Sequence, residues 1–132
     1  LSGPFATQIL ADLGAHVVKI ESPGRGDLTR QLPPQYGAVS SYFASLNRNT
    51  ESVTIDLDTE AGQDLVHELV AEADVFVQNF GPGAAEERAV DYDAISAVTD
   101  DLIYCDVSSY GEGRAPTPTR RPSTSCSRPV PG

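Results

Sequence analysis

The residues best suited to chemistry gather in four short segments, each at a turn. Ser22-Pro23-Gly24-Arg25-Gly26-Asp27-Leu28-Thr29-Arg30 follows an apolar run and offers two guanidinium groups in a glycine-rich loop. Such forked donors match phosphate oxygens. The plain alternative is a surface loop in which Asp27 pairs with Arg30. Gly24 and Gly26 make no dinucleotide fingerprint, because the residues after them do not open a helix in the required way. Gln78-Asn79-Phe80-Gly81-Pro82-Gly83 presents an amide, an aromatic ring and open backbone after a second apolar run. The ring can stack on a base or cover the core. Gly3-Pro4 exposes backbone N–H groups at a helix start, a weak anion signal by itself. Ser108-Ser109-Tyr110-Gly111-Glu112-Gly113 sets serines beside glycines, but no G-x-S-x-G elbow is present and neither His16 nor His67 connects to them. His67, between Asp64 and Glu68, reads as a solvated surface residue.

The elements that must carry these segments alternate in type. Ser2 caps and Pro4 opens a helix to Leu13 on which Phe5, Ala6, Ile9, Leu10 and Leu13 recur at helical spacing, and Gly14 ends it. His16–Ile20 is a β-branched strand. Val53, Ile55 and Leu57 alternate with polar residues as a second strand, after which Asp58 or Thr59 caps a helix bearing Ala61, Leu65, Val66, Leu69, Val70 and Ala73 on one face. Strands follow at Asp74–Gln78 and Leu102–Val107, with short helices expected over Pro82–Arg88 and Asp91–Val98. The alternation predicts an α/β fold: a Rossmann-like, mostly parallel sheet with helices on both faces. Loops leaving strand C-termini are where such sheets place ligands, so the arginine and Asn79 loops suit a nucleotide-like anionic group.

Composition sets the limits. The chain has 132 residues and a net charge of −10, enough for one small domain. Its first 113 residues hold all 19 carboxylates against five cations, a balance of −14. Such a surface repels phosphate backbones, which argues against nucleic-acid binding. With a single lysine, Lys19, it fits a salt-adapted, halophilic proteome. No apolar run approaches the roughly 20 residues that span a bilayer. Two cysteines without a C-x-x-C spacing suggest neither a zinc site nor a disulfide framework, and a reducing, cytoplasmic setting is expected. Residues 114–132 hold five Pro and four Arg and no carboxylate, so they are expected to form a disordered basic tail beside a domain over 1–113. The reversal of charge suggests a reading-frame change near Gly113, with a regulatory tail as the alternative. The lack of an opening Met suggests a fragment.

In order along the chain, Gly3-Pro4-Phe5-Ala6, Leu10 through Glu21, Pro23 through Arg30, Leu46-Asn47-Arg48-Asn49, Ser52 through Leu57 with Thr59-Glu60-Ala61-Gly62, Ala73 through Phe80 with Pro82-Gly83, and Leu102-Ile103-Tyr104 resemble the N-terminal part of family III CoA-transferases. That group includes formyl-CoA transferase, carnitine CoA-transferase, bile-acid-inducible proteins and α-methylacyl-CoA racemase. The resemblance implies part of a larger Rossmann-like domain, an interlocked homodimer, and coenzyme A lying along the strand C-termini with acyl-CoA and a carboxylic acid as substrates. It implies that Arg30 contacts a CoA phosphate, that Ile55, Asp56, Leu57 and Asp58 line the adenosine end, and that Asn79, Phe80 and Gly81 border the nucleotide and pantetheine. It implies no metal. The family's catalytic Asp, which forms covalent acyl and CoA intermediates, lies downstream of the matching residues, so no catalytic residue is expected here and the chain alone is expected to be inactive. Several family cations are also missing: Thr50-Glu51 stands in place of a Lys-Arg pair, Asp58 has no neighbouring Lys, and Arg88 sits beside the position of another. An acyl-CoA racemase on the same fold, or a non-catalytic remnant with at most weak CoA binding, are the alternatives.

Overall fold

The structure, a computed structural model, describes residues 2–108 and the strand at 125–127. The chain divides into two compact units, Leu1–Leu57 and Asp58–Gly132. The first unit opens with α1 (Ser2–Asp12) and β1 (Val17–Glu21), runs through a short 3-10 turn at Leu28–Gln31, a hairpin of β2 (Gln35–Tyr36) and β3 (Val39–Ser40), then α2 (Ser41–Leu46) and β4 (Thr50–Thr54). Gly14 supplies the stop after α1 with φ +101°, a conformation that side chains disfavour. β1 and β4 pair in parallel, Val17 opposite Thr50 and Glu21 opposite Thr54.

Here the second strand is displaced from its expected place. Its ladder covers Thr50–Thr54, and Ile55 follows it as a buried residue whose N–H donates to the Glu21 carbonyl. The alternation at Val53, Ile55 and Leu57 therefore marks only the last turn of the ladder and the exit from it. Neither the hairpin nor α2 is among the elements expected from the sequence. Ser40 organises them: buried, it donates its hydroxyl to the Leu32 carbonyl and accepts from the Phe43 N–H, capping α2. On α1 the residues buried in this unit are Gly3, Gln8 and Ala11, whereas Phe5 and Leu13 lie 56% and 80% exposed.

The second unit contains α3 (Glu60–Ala71), β5 (Val75–Gln78), a 3-10 turn at Glu86–Arg88, α4 (Tyr92–Ser96), β6 (Ile103–Asp106) and β7 (Ser125–Ser127). β5 and β6 are parallel, Gln78 opposite Asp106, and β7 adds antiparallel to β6. Cys105, opposite Cys126 in that register, is disulfide-bonded, where the sequence suggested no disulfide framework. The rest of the expected tail, 114–124 and 128–132, and the serine-glycine segment from Ser109 onward lie outside the described residues.

Val66, Val70, Val90, Ile95, Leu102 and Tyr104 form the buried apolar core of this unit. The Tyr104 ring stacks on Phe76 and meets Tyr92 edge-on, each at 5.7 Å between centroids, and its hydroxyl donates to the Val90 carbonyl at 3.0 Å. α3 buries Gly62, Val66 and Val70, so Leu65 and Leu69 from the expected face point outward. Thr59 is its cap, accepting from the Gly62 N–H at 3.2 Å. Thr59→Ala should cost about 1 kcal/mol in urea unfolding; Thr59→Ser should not, and equal losses would sink the capping role.

Thus each unit is an α/β arrangement in which a parallel strand pair carries its loops at the strand C-termini.

Candidate functional site

The first cluster sits where β1 and β4 end. A cleft of about 200 Å³ is lined by Glu21, Ser22, Gly24, Arg25, Gly26, Arg30, Ser52 and Thr54. Glu21 is its fixed point. With a side chain only 3% exposed, it accepts from Arg30 Nε at 2.7 Å and Nη2 at 2.6 Å, from the Asp27 N–H at 2.8 Å and from Ser52 Oγ at 2.8 Å. The forked Arg30 hydrogen bonds outweigh the opposing effect of burial, and with the Asp27 and Ser52 donors they hold the Glu21 carboxyl at about 2, well below its usual 4.5.

Arg30 also lies over the Phe43 ring at 3.8 Å, and Lys19 approaches the same ring at 5.0 Å. Lys19 binds Asp27 and donates to Asn47 Oδ1 at 2.6 Å. Asp27 caps the 3-10 turn through the Thr29 N–H. Burial raises the Asp27 carboxyl, but Lys19 and Thr29 together overcome that and set it at about 2. So the expected Asp27–Arg30 pair does not form: Asp27 takes Lys19, and Arg30 takes Glu21.

The second cluster lies at the C-terminal ends of β5 and β6. Gln78 is buried; its carbonyl accepts from the Val107 N–H at 2.8 Å and its side-chain oxygen from the Phe80 N–H at 2.6 Å. Asn79 donates its amide to the Val107 carbonyl. Arg88 brings two of the expected residues together: its guanidinium pairs with Asp58 at 2.7 Å and lies 5.6 Å from the Phe80 ring, while Nη1 donates to Ala84 O at 3.1 Å. Gly81 is exposed, and its carbonyl accepts from Ala84 N–H. Asp106 is buried beside Gln78; desolvation raises its carboxyl, with hydrogen bonds from Ser108 and Gln78 opposing and the Glu86 charge adding to the rise.

Of the expected binding residues, Arg30, Ile55, Asp56 and Leu57 belong to the first unit, and Asp58, Asn79, Phe80 and Gly81 to the second. Arg30 lines the cleft, but its fork is occupied by Glu21. Ile55 is buried while Asp56 is exposed. Glu21, Phe43 and Ser52 are site residues that the sequence did not single out. His67 is half-buried rather than solvated, with Nε2 donating to the Ala89 carbonyl at 2.7 Å. Among the described residues no group of His, Cys, Asp or Glu could hold a metal ion, and no helix is long and apolar enough to cross a membrane.

Each unit is thus α/β, with a parallel strand pair whose C-terminal end carries, in the first, the arginine loop and, in the second, Asn79 and Phe80. Residues 1–124 match CoA-transferase family III, and the chain belongs to that family. It is 44% identical over 113 residues to succinyl-CoA:glutarate CoA-transferase of Mus musculus, covering 85% of this chain and 26% of that one. It is 42% identical over 113 residues to formyl-CoA:oxalate CoA-transferase of Streptomyces coelicolor, covering 85% and 27%. A CAIB/BAIF family protein from Brucella suis superposes with a TM-score of 0.80 at 41% identity, covering 87% of this chain and 32% of the other. The chain thus spans about a quarter of the length of the curated relatives it matches.

Proposed function

We propose that the protein to which this sequence belongs moves coenzyme A from an acyl-CoA to a carboxylic acid, and that these residues supply part of its CoA site. The observation that carries the reading is the ordered match of residues 1–124 to the family. The relatives' names, CoA-transferases with carboxylate acceptors such as glutarate and oxalate, favour transfer over racemisation. Two loops at strand C-termini, one with arginines and one with Asn79 and Phe80, support a nucleotide-bearing ligand.

In the proposed reaction a carboxylate, the family's Asp beyond the residues matched here, attacks the thioester carbonyl of the acyl-CoA. An enzyme-bound mixed anhydride forms and the CoA thiolate leaves. The thiolate then attacks the aspartyl carbonyl, giving an aspartyl-CoA thioester and releasing the donor acid; the acceptor acid takes the place of the donor and the steps reverse. This chain's own part is binding and orientation. On this reading the chain alone binds CoA without turning it over, and the whole protein works as a homodimer, two points that rest on the resemblance.

CoA is expected to stabilise the chain in proportion to ln(1 + [CoA]/Kd), about 2.7 kcal/mol at a hundredfold excess over Kd. Urea unfolding with and without CoA, at low and high potassium chloride, tests it. No shift at either salt would remove the CoA site from these residues.

A further inference from the structure

We infer that Arg25, and not Arg30, is the residue that meets a phosphate group of the ligand at the cleft, while the Glu21–Arg30 pair is the clamp that sets the turn carrying Arg25. This deepens the CoA reading and rests on it.

The argument begins with the cations. The described residues contain Lys19, Arg25, Arg30, Arg48 and Arg88. Four are committed to carboxylates: Lys19 to Asp27, Arg30 to Glu21, Arg48 to Asp12 and Arg88 to Asp58. Arg25 alone among them has no carboxylate partner among the described residues, and it lines the cleft. Inside the cleft the Glu21 and Arg30 charges cancel, and Arg25 leaves a net positive charge. Ser22 and Thr54 add hydroxyls to the same lining. A guanidinium flanked by hydroxyls is a donor set for phosphate oxygens.

The turn that presents Arg25 is tied to the clamp. Arg25 N–H donates to Pro23 O at 3.1 Å and Gly26 N–H to Ser22 O at 3.2 Å. Gly26 has φ +61°, and a Cβ there would fall 2.5 Å from Glu21 Oε2 and 3.2 Å from Arg30 Cδ. The backbone therefore lies directly against the ion pair, and the Asp27 N–H that follows is held by Glu21 as well. Arg30 has spent its fork on Glu21 and cannot offer the same geometry to a ligand without exposing a buried carboxylate.

The test is titration calorimetry of the chain and three variants, Arg25→Ala, Arg25→Lys and Arg30→Lys, with CoA and with adenosine 3′,5′-bisphosphate, beside thermal melts. Arg25→Ala is expected to bind both probes about tenfold more weakly, the loss of one charged hydrogen-bonding group, with an unchanged melt; Arg25→Lys should fall between. Arg30→Lys should lower the melting temperature, which a simple ligand contact would not. If CoA binds wild type and Arg25→Ala equally, the assignment to Arg25 is overturned and the CoA reading survives. If the bisphosphate binds through Arg25 but CoA does not bind at all, the CoA reading falls and the cleft assignment stands. If neither probe binds wild type, both fall.

Discussion

Acidification from about pH 4.5 to about 2 should remove about 3 kcal/mol of stability from the first unit, and Glu21→Gln should abolish most of that dependence. The Glu21 carboxyl sits at about 2 rather than 4.5, and a shift of about 2.5 pH units corresponds to about 3 kcal/mol. Because the folded value is depressed, the stabilisation is fully present above the unfolded value and is lost as pH falls through the folded one. Asp27, also at about 2 against 3.8, adds a loss in the lower part of the same window.

The Glu21 side chain is 3% exposed and depends on its partners when ionised, whereas the Arg30 side chain is 41% exposed and can be solvated once its partner is gone. At neutral pH, Glu21→Gln keeps the shape but replaces a charged acceptor with an amide that cannot accept both Arg30 donors and Ser52 on two oxygens. It should therefore start lower and vary little with pH. In the second unit the sign reverses at Asp106. Burial raises its carboxyl, so keeping it ionised costs stability at neutral pH and that cost disappears in acid. Amide exchange resolved by residue separates the two: the β1 and β4 amides should lose protection in acid before those of β5 and β6. Parallel acid profiles for wild type and Glu21→Gln would refute the clamp.

The sequence makes some of this arrangement readable and hides the rest for definable reasons. Thr59 announces its helix because a capping hydroxyl acts locally, on an N–H three residues away. Gly14 announces the end of α1 for the same reason. Local signals fail where a ladder is chosen by its partner: Thr50–Thr54 pairs because β1 lies beside it in register, and nothing in that stretch of residues alternates as cleanly as Val53, Ile55 and Leu57. They fail again at Glu21. A glutamate closing a β-branched run looks like a strand end facing water, yet its partners Arg30 and Ser52 lie 9 and 31 residues away.

Phe43 carried no signal, because the helix presenting it is six residues long and depends on the Ser40 cap. The Asn79–Phe80 loop was legible as a loop leaving a strand end because it follows a clear apolar strand. That Arg88 would join Phe80 to Asp58 was not, since Arg88 and Asp58 stand 30 positions apart in the chain. On α3 the apolar positions span a broad stripe, and the fold buries Val66 and Val70 while leaving Leu65 51% exposed; periodicity gives the stripe, and packing decides its centre.

That last distinction yields the other large effect. Ile95→Ala should cost about 3 kcal/mol or more, and Leu65→Ala close to nothing, though both remove an apolar side chain from an amphipathic helix. Ile95 is 0% exposed and lies on α4, whose five residues, Tyr92–Ser96, are too few to hold a helix by backbone hydrogen bonds alone. Asp91 caps the element through the Asp93 N–H at 3.2 Å, but the cap is exposed and contributes only about 1 kcal/mol. Burial of Ile95 is what keeps α4 folded, and truncation leaves a cavity that the rest of the buried core can fill only by shifting. Ile95→Leu, which keeps the volume, should cost less than about 1.5 kcal/mol. Urea midpoints for the three variants decide the matter. Equal losses for Ile95→Ala and Leu65→Ala would mean that the second unit is not organised around this core, whereas a large loss confined to Ile95→Ala, with exchange protection vanishing first at Ile95 and Ala97, would place the centre of its stability at α4.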